Sequence, residues 1–334
     1  MTWLVTGGAG YIGAHVVAAL TAAGQGVVVL DDLSTGSAAR VAAVPLVVAD
    51  VADRGAVTAA VREHGVTGIV HLAGKKTVPQ SMTQPLRYYE ENVEGLRRLL
   101  EVVTAEGVGA FLFSSSAAVY GAPDVDLVTE DTVCQPVNPY GETKLIGERL
   151  LADVGRATGL AHLSLRYFNV AGSGAPALAD TTVANLMTQV FARLDRGLPP
   201  LVFGGDHPTP DGTCVRDFVH VADLAEAHVA AALALAGGRV HSGALNIGRG
   251  VGASVREVCR LIAEVAGESR DVPAAVVVDR RAGDPARVVG SAGRAAEVLG
   301  WTASRDVEEM VRSAWDGWRE HHATPDPDLA LLPG

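Results

Sequence analysis

A doubly wound α/β fold, a parallel sheet covered by helices on both faces with a smaller interleaved α/β part after it, is what this sequence predicts. Three observations carry that expectation. From residue 3 to about residue 170, short β-branched runs alternate with longer helix-like segments, the order that builds a parallel sheet. Several of those runs are apolar throughout rather than alternating, as strands buried on both faces must be. The first run ends in a glycine cluster that opens a helix-like segment.

The element order follows. Strands are expected at Trp3–Thr6, Val27–Leu30, Leu46–Ala49, Gly68–Leu72, Ala110–Ser114 and His162–Tyr167. After Ala171 the texture changes: Gly172-Ser173-Gly174 precedes a helical stretch at Asn185–Arg196 and a Pro/Gly-rich segment from Leu198 to Gly212, punctuation that marks loops and a change of domain. The strand-helix piece Phe218–Ala236 and the run Ala244–Ile247 look able to return to the first sheet. The expected division is therefore a dinucleotide-binding domain of residues 1–171 joined by 218–248, and a substrate domain of 172–217 and 249–322. Residues 323–334, with Pro325, Pro327 and Pro333, read as a loose tail.

Composition narrows the function classes. The 334 residues are 48% apolar, enough for one large core or a core with a smaller one appended. The formal net charge is −11 with no block of like charge, which argues against nucleic-acid binding and requires any anionic ligand to find local arginines or backbone N–H groups. Cys134, Cys214 and Cys259 have neither disulfide-framework nor zinc spacing, so no metal is expected. No signal-peptide pattern and no membrane-length apolar run is present. The expectation is a cytoplasmic protein with no membrane partner.

The glycine cluster, Gly7-Gly8-Ala9-Gly10-Tyr11-Ile12-Gly13, satisfies G-x-G-x-x-G between a strand and a helix. Side chains there would block the tight turn, the approach of backbone to a pyrophosphate, and helix packing. Asp31 and Asp32 stand eighteen residues beyond Gly13, at the end of the second strand. A carboxylate there accepts hydrogen bonds from ribose hydroxyls and repels a 2′-phosphate, so NAD is expected over NADP. The loop Leu33-Ser34-Thr35-Gly36 is counted with this site, as are Asp50 and Val51 on the adenine side.

Two more motifs point to proton chemistry. Ser114-Ser115-Ser116 ends the fifth strand, and Tyr140-Gly141-Glu142-Thr143-Lys144 opens a helix-like run. The i, i+4 spacing puts Tyr140 and Lys144 on one face. A free tyrosine has a pKa of about 10, and an ammonium and a cationic nicotinamide would stabilise its phenolate. Lys144 is thus expected to tune Tyr140 as a base, with Ser116 holding the substrate oxygen.

From Val5 to about Trp318 the chain closely resembles the UDP-glucose 4-epimerase family. The diagnostic segments are the glycine cluster, Phe113-Ser114-Ser115-Ser116 with Val119-Tyr120-Gly121, Arg166-Tyr167-Phe168-Asn169, and the segment from Asp211 to Val221 that contains Cys214-Val215-Arg216-Asp217-Phe218. The resemblance implies that Leu72, Ala73, Gly74 and Lys76 border the cofactor, with Asn92, Ser114 and Phe168 close to it. It implies a UDP-sugar site lined by Lys76, Asn169, Asn185, Leu186, Leu201, Val202, Phe203, Arg216, Arg281 and Asp284, besides Ser116 and Tyr140. The reaction implied is hydride transfer from sugar C4 to bound NAD and its return to the opposite face. A homodimer is implied too, through helices near Asn92–Ala105 and Lys144–Thr158.

The departures are Ala118, where a hydroxyl residue often stands, Asn138 before Pro139-Tyr140, and Val78-Pro79-Gln80-Ser81. Val288 occupies a place where some members carry tyrosine beside the sugar, so N-acetylated sugars are an expected second substrate. The competing readings are a nucleotide-sugar 4,6-dehydratase, disfavoured by Ala117 and Ala118 where its acid and base would stand, a UDP-uronic acid decarboxylase, and an NAD(H)-binding regulatory module without chemistry.

Overall fold

The computed structural model describes residues 1–268, 271–281 and 283–322. The tail expected at 323–334 lies outside them. In chain order the elements are β1 (Thr2–Thr6), α1 (Tyr11–Ala22), β2 (Gly26–Asp31), β3 (Leu46–Val48), α2 (Arg54–Glu63), β4 (Gly68–His71), α3 (Val78–Thr83), α4 (Pro85–Tyr88), α5 (Gly95–Ala105), β5 (Ala110–Ser116), α6 (Pro139–Thr158), β6 (Ala161–Tyr167) and β7 (Asn169–Ala171). There follow α7 (Leu186–Asp195), β8 (Leu201–Phe203), β9 (Val215–His220), α8 (Val221–Ala236), β10 (Ala244–Ile247), β11 (Gly252–Ser254), α9 (Val255–Gly267), β12 (Val276–Val278), β13 (Arg287–Val288), α10 (Gly293–Leu299) and α11 (Val307–His322).

Seven strands form one sheet in the order β10-β6-β5-β4-β1-β2-β3, and every pair in it is parallel. Both faces are covered, which explains the uninterrupted apolar runs. Trp3, Val5, Val27 and Val29 pack with α1 and α8 on one side, whereas Leu4, Val28, Leu30 and Ile69 pack with α2 and α5 on the other. Successive strand residues thus serve opposite layers. The chain reverses direction across the sheet at β1, whose neighbours are β2 and β4. In such folds ligands bind outside the carboxyl ends of the strands at that reversal.

A second sheet joins β11, β9 and β13, with β7 added on β9, and β8 pairs with β12. Around them α7, α9 and α11 build a separate core that includes Phe191, Ile262, Met310 and Trp315.

Two strands depart from expectation. Phe218–His220 does not return to the first sheet: β9 pairs with β7 from Asn169↔Phe218 to Ala171↔His220 and with β11 and β13. The return begins at Val221, with α8 and then β10, which pairs with β6. Asn169–Ala171, counted with the first unit, belongs to the second sheet. The punctuation responsible is His220, whose Nδ1 accepts the Ala222 N–H at 3.0 Å and caps α8. A histidine cap is weak in sequence, where Ser, Thr, Asp and Asn carry the signal.

Candidate active site

The glycine loop sits at the sheet's reversal point. Gly7 has φ +71°, and a Cβ on it would lie 2.7 Å from the Ala73 nitrogen at the end of β4. A Cβ on Gly13 would lie 2.1 Å from the Gly7 carbonyl, so helix and turn touch directly. Gly10 differs, because its nearest neighbour would be the Gly7 oxygen at 3.3 Å. Packing demands glycine much less there than at Gly7 or Gly13, and its hydrogen leaves room at the start of α1. No side chain caps that helix, so its first N–H groups and positive end face the space. This cradle fits a pyrophosphate.

Asp31 is buried, with one oxygen accepting the Ala9 N–H and the other the Leu33 N–H, each at 2.9 Å. It therefore braces the glycine loop from the end of β2. Leu33 turns the chain through φ +58°, and Ser34, Thr35 and Gly36 fold back until Ser37 donates to the Ala9 carbonyl at 3.0 Å. Asp32 is exposed and accepts from Ser34 N and Oγ. The little burial it has would raise its carboxyl, but the Ser34 hydrogen bonds prevail and hold it below the usual range. Asp50 is exposed beyond β3 and accepts the Ala52 N–H at 2.7 Å, while Val51 lies against Gly95 of α5.

Helix α6 begins where Asn138 Oδ1 accepts the Gly141 N–H at 2.8 Å, so the asparagine in place of serine is a sound N-cap. That start aims Tyr140 and Lys144 at the end of β5. Lys144 Nζ donates to the Ser114 carbonyl at 2.9 Å and lies 5.0 Å from the Phe113 ring centre and 6.0 Å from that of Tyr140. Burial pulls its pKa down to about 8, against the opposing pull of the Glu148 carboxylate. Burial raises the Tyr140 phenol; a hydrogen bond with Ser116 works the other way and Tyr88 adds to the rise. Burial is the largest of these influences, so without a bound ligand the phenol keeps its proton at neutral pH.

Asn92 lies against Gly74, where a Cβ would come within 2.8 Å of its Oδ1. It accepts the Lys75 N–H at 2.8 Å and donates to the Lys75 carbonyl and Thr143 Oγ1, both at 3.0 Å. It ties the loop after β4, including Gly74, to α6. Lys75 is paired with Glu91, which leaves Lys76 as the lysine that faces the cleft.

A cleft of about 300 Å³ brings Tyr11, Ile12, Lys76, Ser116, Tyr140, Phe168 and Asn185 together, all of them expected. It is also lined by Tyr167, Asp180 and Ala184, which sequence reasoning missed. Tyr167 was within reach, since it lies inside a diagnostic segment. Asp180 sits in a stretch with no motif and no periodicity.

The remaining expected substrate residues are spread over the second sheet. Arg216 pairs with Asp284 and donates to the Val215 carbonyl. Arg281 is exposed, stacked 3.8 Å from the Phe203 ring centre. Leu201 and Phe203 are half-buried, whereas Val202, between them, is turned into the second core, as strand alternation requires; its side chain is not a ligand contact. Asn169 is exposed at the start of β7, and Leu186 packs against the second core. Asn185 caps α7, accepting from Thr188 N at 3.0 Å and donating to Asp180 at 2.9 Å. Asp217, in the most distinctive sequence segment, accepts three N–H groups, from Arg249, Gly250 and Gly290. It fastens loops.

Known proteins resemble the chain along nearly all of its length. The model of the NAD dependent epimerase/dehydratase family matches residues 3–248. A UDP-glucose 4-epimerase of Azospirillum brasilense is 47% identical over 317 residues, 93% of this chain and 90% of that protein. A UDP-glucose 4-epimerase of Stenotrophomonas maltophila, solved with bound NAD and formylated UDP-arabinopyranose, superposes with a TM-score of 0.90 at 41% identity over 97% of this chain and 99% of its own. The UDP-Glc/GlcNAc 4-epimerase of Campylobacter jejuni does so with 0.83 at 35%, over 96% and 99%. With this fold, this glycine cradle and this cleft, the chain belongs to the NAD dependent epimerase/dehydratase family.

Proposed function

We propose that the protein is a UDP-sugar 4-epimerase that keeps NAD bound and interconverts UDP-galactose and UDP-glucose through a 4-keto sugar. The observation that supports this most is the meeting in one cleft of the glycine-loop residues Tyr11 and Ile12 with Ser116 and Tyr140, the cofactor's side and the proton chemistry's side. The cradle of Gly7, Gly10 and Gly13 would hold NAD, which would supply a reversible hydride acceptor for sugar C4. Tyr140 removes the 4-hydroxyl proton and later restores it, Ser116 holds that oxygen as it becomes a ketone, and Lys144 supplies positive charge behind the phenol. Arg216 and Arg281 are the proposed partners of the diphosphate, for which guanidinium forks are suited. Ala117 and Ala118 follow Ser116 directly and offer no acid or base for dehydration.

The test is to incubate purified protein with UDP-galactose and no added NAD and to follow UDP-glucose. Conversion is the expected result. A protein that binds NAD but turns over neither sugar would overturn the assignment to this sugar pair.

N-acetylated sugars are proposed as further substrates. Val288 packs against the cluster that includes Phe168, whose ring lines the cleft, and a short aliphatic group there leaves space beside the sugar. Val288→Tyr is expected to cut kcat/KM for UDP-GlcNAc at least about tenfold relative to UDP-galactose, the size of a pocket-filling effect. Unchanged relative rates in the variant would remove Val288 from the argument.

We further propose a cytoplasmic homodimer. Among the described residues no helix is long and apolar enough to cross a membrane. The outer face of α5 carries Arg97, Arg98 and Glu101, paired with one another and with Glu94, and Met82 of α3 and Leu86 of α4 stand exposed before it. An apolar centre with charged side chains at its rim is the composition of a dimer seam.

A further inference from the structure

Arg40 is the first lysine or arginine in the chain, and it belongs to none of the motifs above. It is half-buried, in the short 3₁₀ turn Ala38–Val41 that follows the Asp31–Gly36 loop. Its guanidinium reaches a distant part of the chain. Nη2 donates to the Ala179 carbonyl at 2.7 Å and lies 3.5 Å from Thr181 Oγ1. Both partners are neutral, so this is a connection between segments rather than an ion pair.

The segment it holds, residues 179–185, is anchored at both ends. Ala179 is buried against α11, where a Cβ on Gly317 would come within 2.5 Å of the Ala179 Cβ. At the other end Asn185 caps α7 and donates to Asp180. Between the anchors, Asp180 and Ala184 line the same cleft as Tyr11 and Ile12, the first residues of α1. The charges of Asp180 and Arg40 act on the Tyr11 phenol in opposite senses, and the Tyr11 hydroxyl donates to the Gly172 carbonyl at 2.6 Å. Asp180, Ala184 and Asn185 therefore share the cleft wall with Tyr11 and Ile12, and Arg40 reaches that segment from the loop after β2.

We infer that Arg40 is a clasp: a positioning residue that holds the Ala179–Thr181 segment closed over the dinucleotide groove and thereby slows exchange of the bound cofactor. This rests on the reading that the groove binds NAD. A dinucleotide beneath that wall leaves only when the wall opens, and local opening breaks the hydrogen bonds that the wall makes. Loss of one hydrogen bond to a charged group changes such an equilibrium about tenfold. Restoring hydride to the same sugar requires the cofactor to stay between the two half-reactions, which gives the clasp its purpose.

The experiment measures exchange of bound NAD against isotopically labelled NAD in the parent, Arg40→Ala and Arg40→Lys, together with the melting temperature of each protein stripped of NAD. Exchange is expected to rise about tenfold in Arg40→Ala and less in Arg40→Lys, whose ammonium keeps one donor for the Ala179 carbonyl. The NAD-free melting temperature should stay where it is. Equal exchange rates in parent and Arg40→Ala would overturn the clasp, as would a rise matched by an equal loss of NAD-free stability, which marks a general structural role. If Arg40→Ala does not fold, Arg40→Lys carries the same comparison. A parent that neither contains nor takes up NAD would instead overturn the functional reading itself.

Discussion

Replacing Tyr140 by phenylalanine is expected to lower kcat for UDP-galactose by about 10³-fold or more, within the range set by removing a group that transfers a proton, while NAD stays bound. Three features of the site support so large a loss. The phenol is buried at the cleft beside Ser116, so water does not readily substitute as a base. Ser116 alone cannot replace it, because a serine hydroxyl is far too weak a base at neutral pH. Phenylalanine keeps the ring that packs between the cleft and Lys144, so binding should change little and the loss should fall on kcat rather than KM. The check is steady-state epimerisation of parent and variant, with NAD content measured after denaturation. A variant that retains a tenth of the parent's kcat would move the base elsewhere in the cleft, and Tyr167 is then the next hydroxyl to test.

The dinucleotide half was legible in the sequence because each residue type there answers a local steric or electrostatic demand. Gly7 and Gly13 permit backbone contacts that any Cβ would break, and Asp31 ends a strand that had to lie beside the first. Tyr140 and Lys144 could be placed together because four residues bring side chains to one helix face. What could not be read were the assignments that depend on distant partners. Asn92 spends its amide on Lys75 and Thr143, 17 and 51 residues away. Asp217 lies in a family-specific segment, yet it serves three backbone N–H groups from loops 32 to 73 residues away. Val202 was misplaced because three residues of β8 show alternation only once the core behind them is known. Asp180 and Arg40 gave no signal at all, since irregular backbone carries their roles and no spacing records it.

Lys144→Met is expected to lower kcat by about 10²-fold, through loss of the charge that favours the phenolate, and at the same time to make the NAD-free protein more stable at pH 7. The stability sign follows from burial. Lys144 has its pKa pulled from the ordinary 10.5 to about 8, so between those values the unfolded chain binds more protons than the folded one, and stability rises with pH across that window. Below about pH 8 the folded protein carries the whole cost of a buried ammonium, an upper limit of roughly 3 kcal/mol from the size of the shift. Methionine, of similar length and free of charge, removes that cost. It also leaves the Ser114 carbonyl without its donor, a loss of about 1 kcal/mol or more, so the net gain should be about 1–2 kcal/mol. Urea unfolding of NAD-free parent and variant at pH 7 and pH 9.5 tests both parts: the variant should be ahead at pH 7, and the gap should narrow at pH 9.5 as the parent's lysine discharges. A variant less stable than the parent at pH 7 would mean that the ammonium's contacts with the Ser114 carbonyl and the Phe113 and Tyr140 rings outweigh the cost of burying its charge.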